Sequence, residues 1–177
     1  MTTQNCIFQD EMNSPIGPLT ILATDKGVCH IHFGSFDKST ASLNARLKKL
    51  GLKGEYVSCN DTLAEVKKQL NEYFNGERKY FDVAIDLHGT AFQQKVWRAL
   101  MKIEYGATSS YKAVAERIGS PKAVRAIGGA NNQNPLPIII PCHRVIGSNG
   151  NMVGYGGGLD KKEHLLMLEG SLAKLSS

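Results

Sequence analysis

Pro141-Cys142-His143-Arg144 sets a thiol beside an imidazole, at the end of the apolar run Asn134-Pro-Leu-Pro-Ile-Ile-Ile-Pro141. A thiol attacks as its thiolate, and a neighbouring base or cation makes that form accessible. Pro135, Pro137 and Pro141 stiffen the segment, because each fixes φ, removes a backbone donor and biases the preceding residue to extended geometry. An extended chain turns adjacent side chains to opposite faces, so the dipeptide alone does not bring His143 onto the Cys142 sulfur. Buried free cysteines are also common in cores. The candidate chemistry is nucleophilic attack by Cys142, and the surrounding elements must decide it.

Downstream, Val145-Ile-Gly147 leads to a turn at Ser148-Asn-Gly150 and then to Val153-Gly-Tyr-Gly-Gly-Gly158. This glycine string is not a phosphate loop, since it lacks the lysine and the strand-before, helix-after context. A pliable backbone around Tyr155 would instead serve as one wall of a pocket for a flat ligand. Asp160 with Glu163 reads as the cap of a last helix carrying Leu165, Leu166 and Leu168 and ending at Glu169-Gly170.

Upstream, Thr90 and Gln93 have capping-box spacing and open a helix through Phe92, Val96, Trp97 and Leu100. Ser110 caps a short helix, Tyr111–Ile118, which Gly119 closes. Ser120 caps the next, with Pro121 at its first position and a body running to Ala130. Two short helices joined by a tight Gly-Ser turn form a helix-turn-helix pattern. The second is nearly bare: Ala123, Ala126, Gly128, Gly129 and Ala130 surround a projecting Arg125. Small residues allow close approach to another surface, and one arginine can probe a groove or fill a gap in a base stack.

The first third reads as β-structure. Cys6–Met12, Leu19–Thr24 and Val28–Phe33 are apolar or alternating runs, separated by Asn13-Ser-Pro-Ile-Gly17 and Asp25-Lys-Gly27, so an antiparallel meander is expected. Helices are expected at Ser39–Leu50, with Leu43, Leu47 and Leu50 on one face, and at Asp61–Phe74, with Leu63, Val66, Leu70 and Phe74 on one face. Residues 77–89 finish with Asp86-Leu-His-Gly89, read as a short strand and the connection between domains.

Composition bounds the function. The 177 residues are 42% hydrophobic, without a run long enough to span a bilayer or a basic-then-apolar leader. No membrane partner is expected. The dispersed Cys6, Cys29, Cys59 and Cys142 fit reduced thiols in a cytoplasmic protein better than disulfides. Residues 1–88 carry ten Lys/Arg against eleven Asp/Glu, whereas residues 89–177 carry eleven against five. A polyanion-binding face in the second half would explain that imbalance.

Taken together, these features resemble the O6-alkylguanine-DNA alkyltransferases (methylated-DNA–protein-cysteine methyltransferases). The resemblance runs almost without a gap from Phe92 to Gly170. It is carried by Phe92-Gln-x-x-Val96-Trp97, Ser110-Tyr111, Ile118-Gly-x-Pro121, Arg125-Ala-Ile-Gly-Gly-Ala130, Asn134-Pro-x-Pro-Ile-x-x-Pro-Cys-His-Arg-Val145, Gly154-Tyr-x-Gly-Gly-Leu159 and Leu168-Glu-Gly170. Ser14-Pro-Ile-Gly17 fits the family's less distinctive first domain. The implied fold is α+β: a ribonuclease-H-like α/β domain over residues 1–88, then a winged-helix/helix-turn-helix domain over 89–177.

The resemblance further implies direct-reversal DNA repair, in which Cys142 takes the alkyl group from O6-alkylguanine, and from O4-alkylthymine, once and irreversibly. His143 would activate Cys142 through a water, Glu169 would orient His143, and Asn134 would tie the active-site segment to the helix-turn-helix. Tyr111 would hydrogen-bond or protonate the departing guanine. Val145, Pro137, Tyr155, Gly156 and Gly157 would line the base pocket. Arg125, Ala123, Ala126, Gly128 and Tyr111 would meet DNA from the minor groove, with the target base flipped out of the stack. The implied partner is double-stranded DNA containing O6-alkylguanine, bound by a monomer that needs no cofactor. Some relatives hold a structural zinc, for which Cys6, Cys29, His30 and His88 are the candidates, but their pattern does not align and no metal is expected. A cysteine hydrolase would leave the Arg125 helix unexplained. The remaining alternative is an alkylation-damage-binding protein without efficient transfer.

Overall fold

A computed structural model describes residues 5–172. The chain divides into two compact units between Gly89 and Thr90. In the first, β1 (Cys6–Met12), β2 (Leu19–Thr24), β3 (Gly27–Phe33), α1 (Phe36–Lys49), β4 (Glu55–Ser58) and α2 (Asn60–Phe74) follow in order. The sheet order is β3-β2-β1-β4, with β1–β2 and β2–β3 antiparallel and β1–β4 parallel. The Ser14–Gly17 turn closes through Gly17 N–H donating to the Ser14 carbonyl at 3.0 Å, with Gly17 at φ 102°. Positive φ costs glycine little, which accounts for that residue here. Leu19 to Ala23 are all buried, so β2 is covered on both faces. Leu43 and Leu47 of α1 pack with Ile7, Leu22 and Cys29, while α2 lies against β1 and β2.

The three expected strands form, as do both helices, but several boundaries move. α1 starts at Phe36 rather than Ser39, with Ser35 in extended geometry as its N-cap. β4 escapes the sequence reading because Glu-Tyr-Val-Ser is a mostly exposed edge without hydrophobic alternation; it joins in parallel after the α1 crossover rather than extending the meander. The expected strand at Asp86–Gly89 is only a bridge of Ile85 with Val28.

The second unit contains α3 (Ala91–Leu100), β5 (Ser109–Ser110), α4 (Tyr111–Arg117), α5 (Val124–Asn132), a 3-10 turn at Cys142–Arg144, β6 (Val145–Ile146) and α6 (Leu159–Leu168). The Thr90–Gln93 capping box is present in both directions, each bond at 3.0 Å. Ser110 caps α4 by accepting from Ala113 N–H at 3.0 Å. Trp97 is fully buried and donates its indole N–H to the Ala130 carbonyl at 2.8 Å, pinning α3 to α5. β5 and β6 pair in parallel, so the chain just after Cys142 is anchored to the residues just before α4.

Two helix starts differ from expectation. α5 begins at Val124 with Ala123 at its N-cap. Ala123 N–H donates to the Ser120 carbonyl at 2.9 Å, so Pro121 occupies the second position of a β-turn, which its fixed φ also suits. α6 is capped by Gly158 at φ 104°, whose carbonyl accepts from Lys161 and Lys162 N–H; Asp160 sits inside the first turn, favourable to the helix dipole.

Candidate active site

Cys142 lies in a 3-10 turn rather than an extended strand, which removes the premise that its side chain and that of His143 must face apart. Asn134 sits just past α5. Its amide donates to the Ile140 carbonyl at 2.8 Å, and its oxygen accepts from Leu136 N–H at 2.9 Å. One side chain thus links the exit of α5 to the residue two before Cys142. The prolines do not make the whole stretch extended, since Ile138 sits at φ 77°.

Cys142 is buried, and burial pushes its thiol up to about 11 against hydrogen bonding by Asn134, the Lys162 charge and two backbone N–H groups. His143 is fully buried and places Nε2 2.7 Å from Glu169 Oε2. Burial holds the imidazole below its usual value despite the carboxylate, so the ring is neutral and Nε2–H donates to Glu169. Its Nδ1 is buried and has no hydrogen-bond partner among the described residues. No described bond joins the Cys142 sulfur directly to the imidazole. The geometry is that of an oriented base with one nitrogen free to receive a proton.

Glu169, at the C-cap of α6, also takes Arg144 in a two-pronged pair, Nε to Oε1 at 2.8 Å and Nη2 to Oε2 at 3.0 Å. Burial opposes its ionisation, but hydrogen bonds from His143 and Arg144 outweigh that and hold the carboxyl near 2. Arg144 Nη1 also donates to the Ile103 carbonyl at 2.6 Å. The sequence reading missed Arg144, although its place in Pro-Cys-His-Arg was visible. It missed Lys162 too, which reads as a surface lysine on a polar helix turn yet is fully buried. Lys162 Nζ donates to the carbonyls of Val145, Val153 and Gly154 at 2.6, 3.0 and 3.2 Å.

The expected pocket residues differ in exposure. Val145 and Pro137 are buried, whereas Gly156 is exposed and Tyr155 and Gly157 are half-buried. The Tyr155 phenol is raised by burial and then by the charges of Cys142 and Glu169. The Tyr111 hydroxyl donates to the Val153 carbonyl at 3.0 Å. On α5, Ile127 and Ala130 point into the core, and Arg125, Ala126 and Gly129 are exposed, with Ala123 and Gly128 half-buried. A Cβ added at Gly128 or Gly129 would meet nothing within 4 Å, so this face is open to an approaching surface.

The zinc candidates all belong to the first unit. Among the described residues no group of three or more His, Cys, Asp or Glu is placed to hold a metal. Cys29 belongs to the α1 core cluster and His88 pairs with Asp86 at 2.9 Å. No helix among the described residues is long and apolar enough to cross a membrane.

Fold and site define a protein with a buried thiol, backed by a histidine–carboxylate pair, built into a helix-turn-helix unit that follows an α/β unit in the sequence. Two family models match: "6-O-methylguanine DNA methyltransferase, ribonuclease-like domain" over residues 7–87 and "6-O-methylguanine DNA methyltransferase, DNA binding domain" over 91–171. The methylated-DNA–protein-cysteine methyltransferase of Methanosarcina acetivorans is 46% identical over 158 residues, 89% of this chain and 95% of that one. The protein of that name from Mycobacterium leprae is 44% identical over 158 residues, 89% of both chains. Among solved structures, Mycobacterium tuberculosis OGT in complex with DNA has a TM-score of 0.78 at 40% identity, covering 93% of each chain. The chain belongs to the methylated-DNA–protein-cysteine methyltransferase family. Both parts of the expected fold, a ribonuclease-like first domain and a DNA-binding second one, are therefore present.

Proposed function

We propose that this protein repairs alkylated DNA by moving the alkyl group of O6-alkylguanine onto Cys142 in a single turnover. The observation that carries this reading is the Cys142–His143–Glu169 arrangement inside a unit that matches the family's DNA-binding domain. The thiol proton passes to His143 Nδ1 through a water as the sulfur attacks. The sulfur–carbon bond forms as the carbon–oxygen bond breaks, the electron pair stays on the guanine oxygen, and the base gains a proton in exchange for the one lost by Cys142. The Tyr111 hydroxyl assists the departing base, which leaves more readily neutral than anionic. A thioether has no hydrolytic route back to a thiol, so the protein acts once.

The exposed small-residue face of α5 supports binding in the minor groove, with Arg125 filling the space left by the flipped nucleotide; unstacking that nucleotide costs about a few kcal/mol. Val145, Pro137 and the Tyr155–Gly157 backbone wall the base pocket. The same chemistry extends to O4-alkylthymine, and each monomer of the protein suffices for one lesion. Intact and peptide mass spectrometry after incubation with duplex DNA bearing one O6-methylguanine tests the reading. One added methyl on the Cys142 peptide, restored guanine and no transfer by Cys142→Ala are expected. An unmodified protein that still binds the lesion would make it a damage-binding protein instead.

A further inference from the structure

Lys162 is a fully buried cation that has no carboxylate among the described ion pairs. Its donors go instead to three carbonyls, of Val145, Val153 and Gly154. An ammonium has three N–H groups for three acceptors, whereas a neutral amine has two. Val145 opens β6 immediately after the Cys142–Arg144 turn, and Val153–Gly154 belong to the glycine-rich loop between β6 and α6. Lys162 therefore fastens the loop to the strand beside the nucleophile.

The Val153 carbonyl is shared. Tyr111 donates its only hydroxyl proton to it at 3.0 Å, the same separation as from Lys162. While that bond stands, the proton is not available to a departing base, and once it breaks the loop loses one of its ties. We propose that Lys162 is a positioning residue: it keeps Val153–Gly154 fastened to Val145, so that Tyr111 can turn its hydroxyl from Val153 to the departing guanine without releasing the pocket wall. This inference rests on the alkyl-transfer reading above and adds to it the group that makes Tyr111 free to act.

Burial brings the Lys162 ammonium down to about 8, with the Cys142 charge opposing that shift. The titratable and charged groups that face it are Cys142 and His143 from the 3-10 turn and Tyr111, through the shared carbonyl, from α4. Its ammonium is present below that value and lost above it, so the wall loosens as pH rises. Ionisation of Cys142 alone has the opposite sign, since a thiol near 11 gains thiolate continuously with pH.

The test is the single-turnover rate of methyl transfer to Cys142 from duplex DNA carrying O6-methylguanine, between pH 6.5 and 9.5. The unaltered protein is expected to slow by about tenfold from pH 7.5 to 9.5, and Lys162→Met to be slower by at least about tenfold at pH 7.5 with no alkaline fall. Lys162→Met added to Tyr111→Phe should slow transfer by less than about threefold, because the two groups act through one contact. A rate that rises steadily to pH 9.5 in the unaltered protein overturns the proposal, and so does a Lys162→Met variant with unaltered rate and profile. Should that variant fail to fold, the profile of the unaltered protein decides alone. Absence of transfer by the unaltered protein at every pH overturns the alkyl-transfer reading itself, and this inference with it.

Discussion

Burial raises the Cys142 thiol to about 11, so the free protein stores its nucleophile as a thiol. Cys59 is the opposite case, since its thiol is lowered, chiefly by hydrogen bonding with Thr62. A small thiol-alkylating reagent at pH 7.5 should therefore label Cys59 before Cys142, as thiolate and access control the rate. Peptide mapping of a time course checks the order, and faster labelling of Cys142 would mean an ionised resting thiol. Glu169 offers a second prediction. Its carboxyl falls from the usual 4.5 to about 2 in the fold, so its contribution to stability is complete above pH 4.5 and is lost as pH falls towards 2. Urea midpoints should drop through that window, and Glu169→Gln should flatten the drop. Glu169→Ala strands Arg144 beside a buried gap and should cost about 3–5 kcal/mol at pH 7.

At the scale of elements, α5 carries conflicting demands. Glycine weakens a helix interior, yet Gly128 and Gly129 occur in successive positions with open space beside them. Packing within the fold therefore does not require them, and the proposed docking of α5 on DNA supplies a reason for them. Gly129→Ala should raise the thermal midpoint, as the change is worth up to about 1 kcal/mol in a helix. Gly129→Leu should leave the fold intact while weakening DNA affinity in fluorescence anisotropy. Equal affinity for Gly129→Leu would show that α5 does not face the duplex. The α3 capping box works in the other direction, for stability alone: Thr90→Ala should cost about 1 kcal/mol without altering the transfer rate once corrected for folded fraction.

Over the whole molecule, net positive charge resides in residues 89–177, with eleven Lys/Arg against five Asp/Glu, whereas residues 1–88 carry ten against eleven. The logarithm of the DNA-binding constant should fall linearly with the logarithm of salt concentration as counterions are displaced. Removing the exposed Lys122, beside the turn before α5, should reduce that slope by about 1, whereas removing Lys26 of the first unit should not change it. Equal effects of the two substitutions would mean that DNA contacts spread over both units.

Much of this was legible in the chain itself. Alternation and turn residues located β1, β2 and β3, capping residues located α3 and α4, and the Asn-Pro…Pro-Cys-His-Arg-Val signature located the candidate nucleophile and the family, because these signals are local in sequence. The edge strand β4 was not legible, since a short polar strand forms only where β1 leaves an unpaired edge. Pro121 and Asp160 gave local signals that tertiary placement put to other uses, a β-turn and the inside of a helix turn. Above all, the partners of the site were decided by the fold. His143 meets Glu169 and Arg144 meets Ile103 across long stretches of chain, and Lys162 is a buried cation only because three carbonyls from two separate segments converge on it. Residue types and spacing determine which chemistry is available; burial and long-range contact determine which groups are charged, which are free and which one holds the others in place.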